Sequence, residues 1–169
     1  MNKVYLVGMP ASGKSTTARW LARKLAWEWL DLDTEIERKL GMSIAMAFEL
    51  LGEEEFRKTE QQVLLETKDL THVVISCGGG TAIFYNNMSW MKNNGLTLFL
   101  NPEIGVLAER IATQPLHRPY FSGLSGNEIL NKLLEMQENR ANFYSEAKII
   151  WNKPEPTEFL YMAVNQFVE

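Results

Sequence analysis

The chain has 169 residues and a net charge of −4, with 46% hydrophobic and 22% charged side chains. This length suits one domain with its own core, and the slightly acidic balance disfavours a protein that binds nucleic acid through a broad basic face. No apolar run approaches the ~20 residues of a membrane span, no signal peptide precedes the first predicted strand, and the single cysteine has no internal disulfide partner. These features together predict a cytoplasmic protein.

The first predicted strand, residues 3–7, runs into a glycine-rich loop. Residues 8–16 read Gly-Met-Pro-Ala-Ser-Gly-Lys-Ser-Thr, which matches the phosphate-binding pattern G-x-x-x-x-G-K-[ST]. The turned backbone of such a loop points its N–H groups at phosphate, and the following helix, predicted for residues 13–27, adds its positive end. Lys14 can reach the β- and γ-phosphates of a nucleotide, and the Ser15 hydroxyl can ligate Mg²⁺. The alternative is a glycine turn with Lys14 merely solvated.

A second, short strand is predicted to end in two carboxylates, Asp31 and Asp33. Residues two apart on an extended segment share a face, so both carboxylates could point into one cleft. One could hold Mg²⁺ directly or through water, and the other could accept a proton from an attacking hydroxyl. The alternative is that Asp33 is the N-cap of a helix that starts at Asp33 or Thr34, beside a solvated acid.

Two helices are predicted on either side of Gly52. Ser43 caps the first, and the second covers residues 53–70. On the second helix Arg57 and Glu60 are three residues apart and can pair. An arginine held by a glutamate is a preorganised fork for a substrate carboxylate. The residues alone favour the alternative, a surface helix rich in ion pairs.

A buried strand is predicted at residues 73–76 from its β-branched run, and Gly78-Gly79-Gly80 follow it. Three glycines cost conformational entropy unless the space around them is needed. Either a ligand approaches this backbone closely or the chain makes a tight turn here. Cys77, between the strand and the glycines, is interpreted as a small buried filler.

The rest of the chain continues the alternation of helices and strands. The remaining predicted elements are a helix-like segment at 84–94, a strand at 96–100, a helix to about 112 with Pro102 in its first turn, a mobile loop at 113–125, a helix at 126–146, a strand at 148–151, and a last helix with Phe159, Ala163, Val164 and Phe167 on one face. This alternation predicts an α/β fold with a mostly parallel sheet covered on both faces. Ligands of such sheets bind at the carboxyl ends of the strands, where the candidate residues fall.

Two arginines in the second half are further candidates. Arg118 lies in the predicted loop and Arg140 on a late helix. A lid arginine that closes over phosphates neutralises developing charge and excludes water. Taken alone, each arginine favours the alternative, a solvated surface charge.

Together these residues resemble the shikimate kinases, small P-loop kinases of the nucleoside-monophosphate-kinase type. The resemblance covers essentially the whole chain. It rests on residues 8–16, Asp31-x-Asp33, Gly52-Glu53-x-x-Phe56-Arg57-x-x-Glu60, Gly78-Gly79-Gly80, Arg118-Pro119, and Arg140 ahead of Tyr144-x-Glu146-Ala147. It implies a three-layer P-loop NTPase fold with a central five-stranded parallel sheet flanked by helices. It also implies one domain over residues 1–169, with a substrate-binding region at about 32–60 and a lid at about 113–125.

The activity implied by this resemblance is transfer of the γ-phosphoryl group of ATP to the 3-hydroxyl of shikimate, on the route to chorismate and the aromatic amino acids. Lys14 resembles the phosphate lysine, Ser15 the Mg²⁺ ligand, Asp31 a residue that helps to hold that ion through water, and Asp33 the candidate base that binds the reacting hydroxyl. The other implied site residues are Arg57 and Arg140 as a carboxylate clamp, Gly79 and Gly80 as backbone contacts, Phe48 and Phe56 as an apolar wall, Gly8, Ala11, Ser12, Gly13 and Thr16 in the nucleotide loop, Arg118 as the lid arginine, and Arg110 with Pro154 around adenine. The family precedent implies a monomer.

Three stretches depart from the family pattern. Ala11 stands where the family usually has a glycine, which is tolerated if its φ is negative; residues 118–121 are bulkier than the usual leucines; and Trp151-Asn152-Lys153 replaces an apolar-Asp stretch. Two alternative functions remain at this stage. One is a kinase of the same fold acting on gluconate or a nucleoside monophosphate, and the other is a nucleotide-sensing module with little turnover.

Overall fold

A computed structural model describes residues 1–113 and 121–168. The elements in chain order are β1 (Lys3–Gly8), α1 (Lys14–Leu25), β2 (Glu28–Asp31), α2 (Leu32–Leu40), α3 (Ile44–Glu66), a 3₁₀ turn (Thr67–Asp69), β3 (Val73–Ser76), α4 (Asn87–Asn94), β4 (Leu96–Leu100), α5 (Ile104–Thr113), α6 (Gly126–Tyr144), β5 (Ile149–Trp151) and α7 (Glu158–Asn165). None of the helices in these two ranges is both long and apolar enough to cross a membrane.

The five strands form one parallel sheet in the order β2-β3-β1-β4-β5. β1 lies at the centre with all six residues buried, as its apolar run predicts. Alternate side chains of β1 enter two cores, because Val4 and Leu6 pack on the face covered by α1 and α7 whereas Tyr5 and Val7 pack on the other face. The predicted α/β fold with a central five-stranded parallel sheet is therefore confirmed.

The strand register brings three chain segments to one edge of the sheet. Ser76 at the end of β3 lies opposite both Leu6 of β1 and Asp31 of β2, and Gly8 lies opposite Leu100 of β4. The loops that follow β1, β2 and β3 consequently leave the sheet side by side. They contain the P-loop, the two aspartates and the glycine triplet.

The start of α2 differs from the expectation. Residues 31–33 do not continue β2 as an extended segment, because Asp31 is itself the N-cap and its side chain accepts a hydrogen bond from the backbone N–H of Asp33. Asp33 therefore lies in the first helical turn. The predicted N-cap at Asp33 is wrong by two residues, and the helix starts at Leu32 instead of at Asp33 or Thr34. The local capping bond replaces the extended geometry.

The predicted break at Gly52 is confirmed. Its φ of 78° and ψ of 168° interrupt α3 in a region that is essentially open only to glycine. Ser43 caps the first segment by accepting from the N–H of Met46, also as predicted. The break turns the two segments so that the Phe48 and Phe56 rings pack with their centroids 4.2 Å apart.

Two later boundaries also differ. α5 begins at Ile104, so Pro102 precedes the helix instead of lying in its first turn. In α7 the buried residues are Leu160 and Val164, whereas Phe159 is 72% exposed. The face predicted for the last helix is therefore wrong at Phe159 and Phe167, which are both exposed, because the buried stripe of this helix runs through Leu160 and Val164.

Candidate active site

The loop after β1 has the backbone of a phosphate cradle. Gly8 has a φ of 148°, and a Cβ there would lie 2.6 Å from the carbonyl oxygen of Leu100, so this position requires glycine. Gly13, with a φ of 92°, is the N-cap of α1. Ser12 is buried inside the loop, and Thr16 is exposed on the first turn of the helix.

Lys14 folds over the loop that precedes it. Its Nζ donates to the carbonyl oxygens of Gly8 at 3.0 Å and Met9 at 2.9 Å. The ammonium group is thus held against the start of the loop that precedes the positive end of α1. This arrangement concentrates positive charge where a phosphate would lie.

Alanine at position 11 is expected to be tolerated if its φ is negative, but the φ of Ala11 is +65°. This is the left-handed region, which costs an L-residue about 1–2 kcal/mol. Arg110 acts on the same residue, because its Nη1 donates to the carbonyl oxygen of Ala11 at 3.1 Å. Arg110 Nη2 reaches Pro154 O at 3.0 Å and Glu155 Oε1 at 2.7 Å. The guanidinium therefore ties the P-loop to the segment that follows β5.

Ser15 and Asp31 form a pair of oxygen groups beside the P-loop. The Ser15 hydroxyl donates to Asp31 Oδ2 at 2.6 Å and lies 3.2 Å from the Ser76 hydroxyl. The neighbouring oxygens suit a hard cation that keeps several of its waters. Ser76 is a site residue that the sequence analysis did not single out.

Asp33, in the first turn of α2, faces the loop that follows β3. A Cβ on Gly78 would lie 2.7 Å from Asp33 Oδ1 and 3.0 Å from Glu60 Oε1, so both carboxylates approach this glycine. Removal from water, together with the nearby negative charges of Asp31 and Glu60, raises the pKa of Asp33 to about 7 against the opposing charge of Lys14. The carboxyl can therefore exchange a proton near neutral pH.

Arg57 and Glu60 form a buried ion pair. Arg57 Nη1 donates to Glu60 Oε2 at 2.8 Å, and the two side chains are 9% and 1% exposed. Glu60 Oε1 accepts from the Thr81 hydroxyl at 2.6 Å. The guanidinium carbon lies 4.5 Å from the centroid of the Phe84 ring. The surface-helix interpretation is therefore wrong for Arg57 and Glu60, because the break at Gly52 and the glycine loop enclose them.

The glycine triplet makes room for these side chains. A Cβ on Gly80 would lie 2.5 Å from Arg57 Nη1. The carbonyl oxygen of Gly79 accepts from Arg140 Nη1 at 3.0 Å and also from the Tyr144 hydroxyl. Burial raises the pKa of Tyr144, so it remains a donor at neutral pH. The space that the glycines leave is filled by the protein's own side chains.

A cavity of about 160 Å³ lies between these groups. Its polar lining includes the arginines and acids that the sequence analysis selected, and its apolar wall includes the two stacked phenylalanines. The lining residues are Pro10, Asp33, Ile44, Phe48, Glu53, Phe56, Arg57, Glu60, Gly78, Gly79, Gly80, Met136 and Arg140.

The remaining candidates lie apart from this cavity or outside the described residues. Arg110 and Pro154 do not line this cavity, and they contact each other directly. Arg118 and most of the predicted lid, residues 114–120, lie outside the described residues. Cys77 is buried, as predicted, and burial raises the pKa of its thiol.

Comparisons with known proteins give one consistent result. The family model described as shikimate kinase matches residues 10–167. A shikimate kinase of Bacteroides thetaiotaomicron is 36% identical over 155 residues, which are 92% of this chain and 89% of the relative. The crystal structure of a shikimate kinase from that species superimposes with a TM-score of 0.88 at 34% identity, covering 98% of this chain and 94% of the other. The shikimate kinase of Acinetobacter baumannii in complex with shikimate has a TM-score of 0.87 at 30% identity, covering 98% and 92%.

Proposed function

The chain belongs to the shikimate kinase family, and from this premise we propose how its own residues carry out the family's reaction. The protein is an ATP-dependent kinase that transfers the γ-phosphoryl group of ATP to the 3-hydroxyl of shikimate, giving shikimate 3-phosphate and ADP. The residue assignments depend on one observation. Arg57, Arg140 and Asp33 line the same cavity, beside the P-loop.

Arg57 and Arg140 clamp the carboxylate of shikimate. Guanidinium groups bind carboxylates through paired N–H donors, and Arg57 is already fixed by Glu60. Gly79 and Gly80 supply backbone contacts beside the clamp. Phe48 and Phe56, stacked at 4.2 Å, pack against the carbon ring of the acceptor. The substrate-binding region accordingly covers residues 32–60 and the glycine loop.

Asp33 binds the reacting hydroxyl and accepts its proton. In the reaction the hydroxyl oxygen forms a bond to the γ-phosphorus while the bond from that phosphorus to the β–γ bridging oxygen breaks, and ADP leaves. The proton of the hydroxyl passes to the Asp33 carboxylate, whose pKa of about 7 suits a base near neutral pH. Lys14, which donates to the carbonyl oxygens of Gly8 and Met9 in the ligand-free loop, places its charge at the β- and γ-phosphates.

Mg²⁺ fits the oxygen pair of Ser15 and Asp31. Their side chains lie 2.6 Å apart beside the phosphate loop, and two hard oxygen donors match an ion that retains most of its water. When bound, Mg²⁺ neutralises charge on the β- and γ-phosphate oxygens. Ser15 would hold the ion directly, and Asp31 would hold it through water.

The nucleotide lies along the P-loop. Its proposed contacts are Gly8, Ala11, Ser12, Gly13, Lys14, Ser15 and Thr16 at the phosphates, Arg110 and Pro154 around adenine, and Arg118 from a lid at residues 113–125. Arg110 and Pro154 are neighbours, since Arg110 Nη2 donates to the carbonyl oxygen of Pro154, as an adenine site formed by both residues requires. The lid assignment rests on the family resemblance alone.

The chain acts as one domain and as a monomer in the cytoplasm, without a nucleic-acid or membrane partner. The single cysteine and the net charge of −4 support this proposal. Sedimentation of the purified protein and fractionation of cells that express it would test both parts.

The experiment that tests the function is an ADP-release assay with MgATP and shikimate, run beside gluconate, AMP and no acceptor. ADP release that requires shikimate is expected, whereas shikimate that is inert beside an active second acceptor would overturn the assignment. The clamp is tested by Arg140→Ala, with exposed Arg38→Ala as the matched control. Arg140→Ala should raise KM for shikimate at least tenfold, because a charge-assisted hydrogen bond to the substrate is lost. A KM equal to that of the control would remove Arg140 from the clamp.

A further inference from the structure

Arg57 has two carboxylate partners that differ in geometry and exposure. Glu60 is 1% exposed and accepts from Nη1 at 2.8 Å. Glu53 is 59% exposed, and its single oxygen Oε1 accepts from both Nε and Nη2 at 3.3 Å. Charge-assisted N–H···O bonds are normally about 2.7–2.9 Å long, so only the bond to Glu60 has full strength.

Glu53 occupies the edge of the guanidinium that recognises carboxylates best. The Nε and Nη2 groups point in parallel and can each donate to one oxygen of a planar carboxylate. Glu53 meets both groups with one oxygen at long distance, and an ion pair this exposed contributes little. A substrate carboxylate that presented both oxygens to this edge would make two shorter bonds.

Glu60 is not displaceable in the same way. Its Oε2 accepts from Arg57 and its Oε1 accepts from Thr81 at 2.6 Å. Moving this buried carboxylate would leave both donors without their acceptor. Glu53, in contrast, follows the break at Gly52 and already faces both solvent and the cavity. Its carboxylate can therefore leave Arg57 and become fully hydrated at little cost in free energy.

We propose that Glu53 holds the Nε–Nη2 edge of Arg57 in the empty site and that the acceptor's carboxylate displaces it on binding. Glu53 is therefore a specificity-determining residue, because an acceptor enters the clamp only if its anionic group binds Arg57 more tightly than Glu53 does. Neutral acceptors and weak anions do not compete with it. This inference rests on the proposed function of Arg57 as the carboxylate clamp.

Glu53→Gln tests the inference, because it removes the charge and keeps the shape. Glu54→Gln and Glu55→Gln are matched controls, since these neighbouring exposed acids pair with Lys58 and not with Arg57. The controls account for the general effect of one fewer negative charge near an anion site. The readouts are KM for shikimate and the dissociation constant of shikimate measured by calorimetry without nucleotide.

Glu53→Gln is expected to lower both constants by about two- to fivefold relative to the controls, the size of a weak exposed ion pair. The kcat and the KM for ATP should stay unchanged. A misfolded variant would bind shikimate less tightly, so misfolding cannot account for the expected result. Equal constants in Glu53→Gln and Glu54→Gln would overturn the inference, and a raised KM in Glu53→Gln would assign Glu53 to holding Arg57 in place instead.

Arg57→Lys separates this inference from the proposed clamp. If that variant leaves KM for shikimate unchanged, the clamp itself is wrong. If it raises KM while Glu53→Gln equals the controls, the clamp stands and only the role of Glu53 fails.

Discussion

The Thr81 hydroxyl donates to Glu60 Oε1 across 2.6 Å, and both side chains are buried. The other oxygen of Glu60 accepts from Arg57 at 2.8 Å. The side chain of Asn87 donates to the carbonyl oxygen of Thr81, which fixes the threonine in turn. Thr81 is therefore a positioning residue that acts on Arg57 through Glu60.

Thr81→Val should raise KM for shikimate and lower stability. The change keeps the volume but leaves Glu60 Oε1 without its donor, at a cost of about 1–3 kcal/mol for a buried acceptor. Glu60 can then rotate and release Arg57, while the KM for ATP stays near its original value. Thr81→Ser, which keeps the hydroxyl, should restore the KM in an ADP-release assay. A Thr81→Val enzyme that melts earlier but keeps its KM for shikimate would limit Thr81 to a structural role.

Gly80→Ala should abolish high-affinity shikimate binding. The added methyl group would lie 2.5 Å from Arg57 Nη1, and the arginine is packed against Phe84 at 4.5 Å, so it has little room to move. We expect at least a tenfold rise in the dissociation constant, because a displaced charge clamp loses more than about 1.4 kcal/mol. Gly105→Ala is the control, since a Cβ there meets no atom within 4 Å. Unchanged binding in Gly80→Ala would mean that Arg57 reorients freely.

Much of this architecture could be predicted from the sequence because its signals are local. The P-loop pattern, the β-branched strands and the helix break at Gly52 each depend on neighbouring residues, and the structure confirms the strand, helix and break that they predict. Parallel order then follows from the alternation of strands and helices. The carboxyl ends of parallel strands meet at the same edge of the sheet, which is enough to predict that the P-loop, the aspartates and the glycine triplet lie close together.

The features that were missed depend on tertiary proximity. Nothing near Thr81 in the chain indicates that it meets Glu60, 21 residues away, and nothing near Phe84 indicates that it covers Arg57. The start of α2 at Leu32 was missed because Asp31 and Asp33 are equally good caps in the sequence. The positive φ of Ala11 is imposed by the loop around it, against the residue's own preference.

Ala11→Gly should stabilise the protein by about 0.5–1 kcal/mol. Glycine removes the strain of a φ of +65°, and part of that gain is lost to its greater freedom in the unfolded chain. Ala26→Gly is a matched variant, because Ala26 has a φ of 55° at the C-cap of α1, where glycine is the usual residue. Urea denaturation should show a similar increase in the free energy of unfolding for both variants. A loss of stability in Ala11→Gly alone would show that the Ala11 methyl group contributes packing that outweighs its strain.

Asp33→Asn should stabilise the ligand-free protein at alkaline pH while it abolishes transfer. The pKa of Asp33 in the folded protein is about 7, above its ordinary value of 3.8, so the folded state binds this proton more tightly than the unfolded chain does. Below pH 3.8 the carboxyl is neutral in both states and costs nothing. As pH rises from 3.8 to 7, the unfolded chain gives up this proton while the folded protein still holds it, so wild-type stability falls until the buried carboxyl also ionises near pH 7. Asparagine does not titrate, so its advantage is largest at pH 8.

Urea denaturation at pH 5 and pH 8 measures this difference. One pKa unit corresponds to about 1.4 kcal/mol, and about two pH units separate pH 5 from the folded pKa of about 7, so we expect the advantage of Asp33→Asn over the wild type to grow by about 2–3 kcal/mol between pH 5 and pH 8. Glu49→Gln, at an exposed acid on the first segment of α3, should show no such trend. Phosphoryl transfer should fall by at least about 10²-fold, the usual contribution of a general base, with ATP affinity retained. An advantage that did not change with pH would mean that the Asp33 carboxyl is well hydrated, and retained turnover would remove Asp33 from the proton transfer.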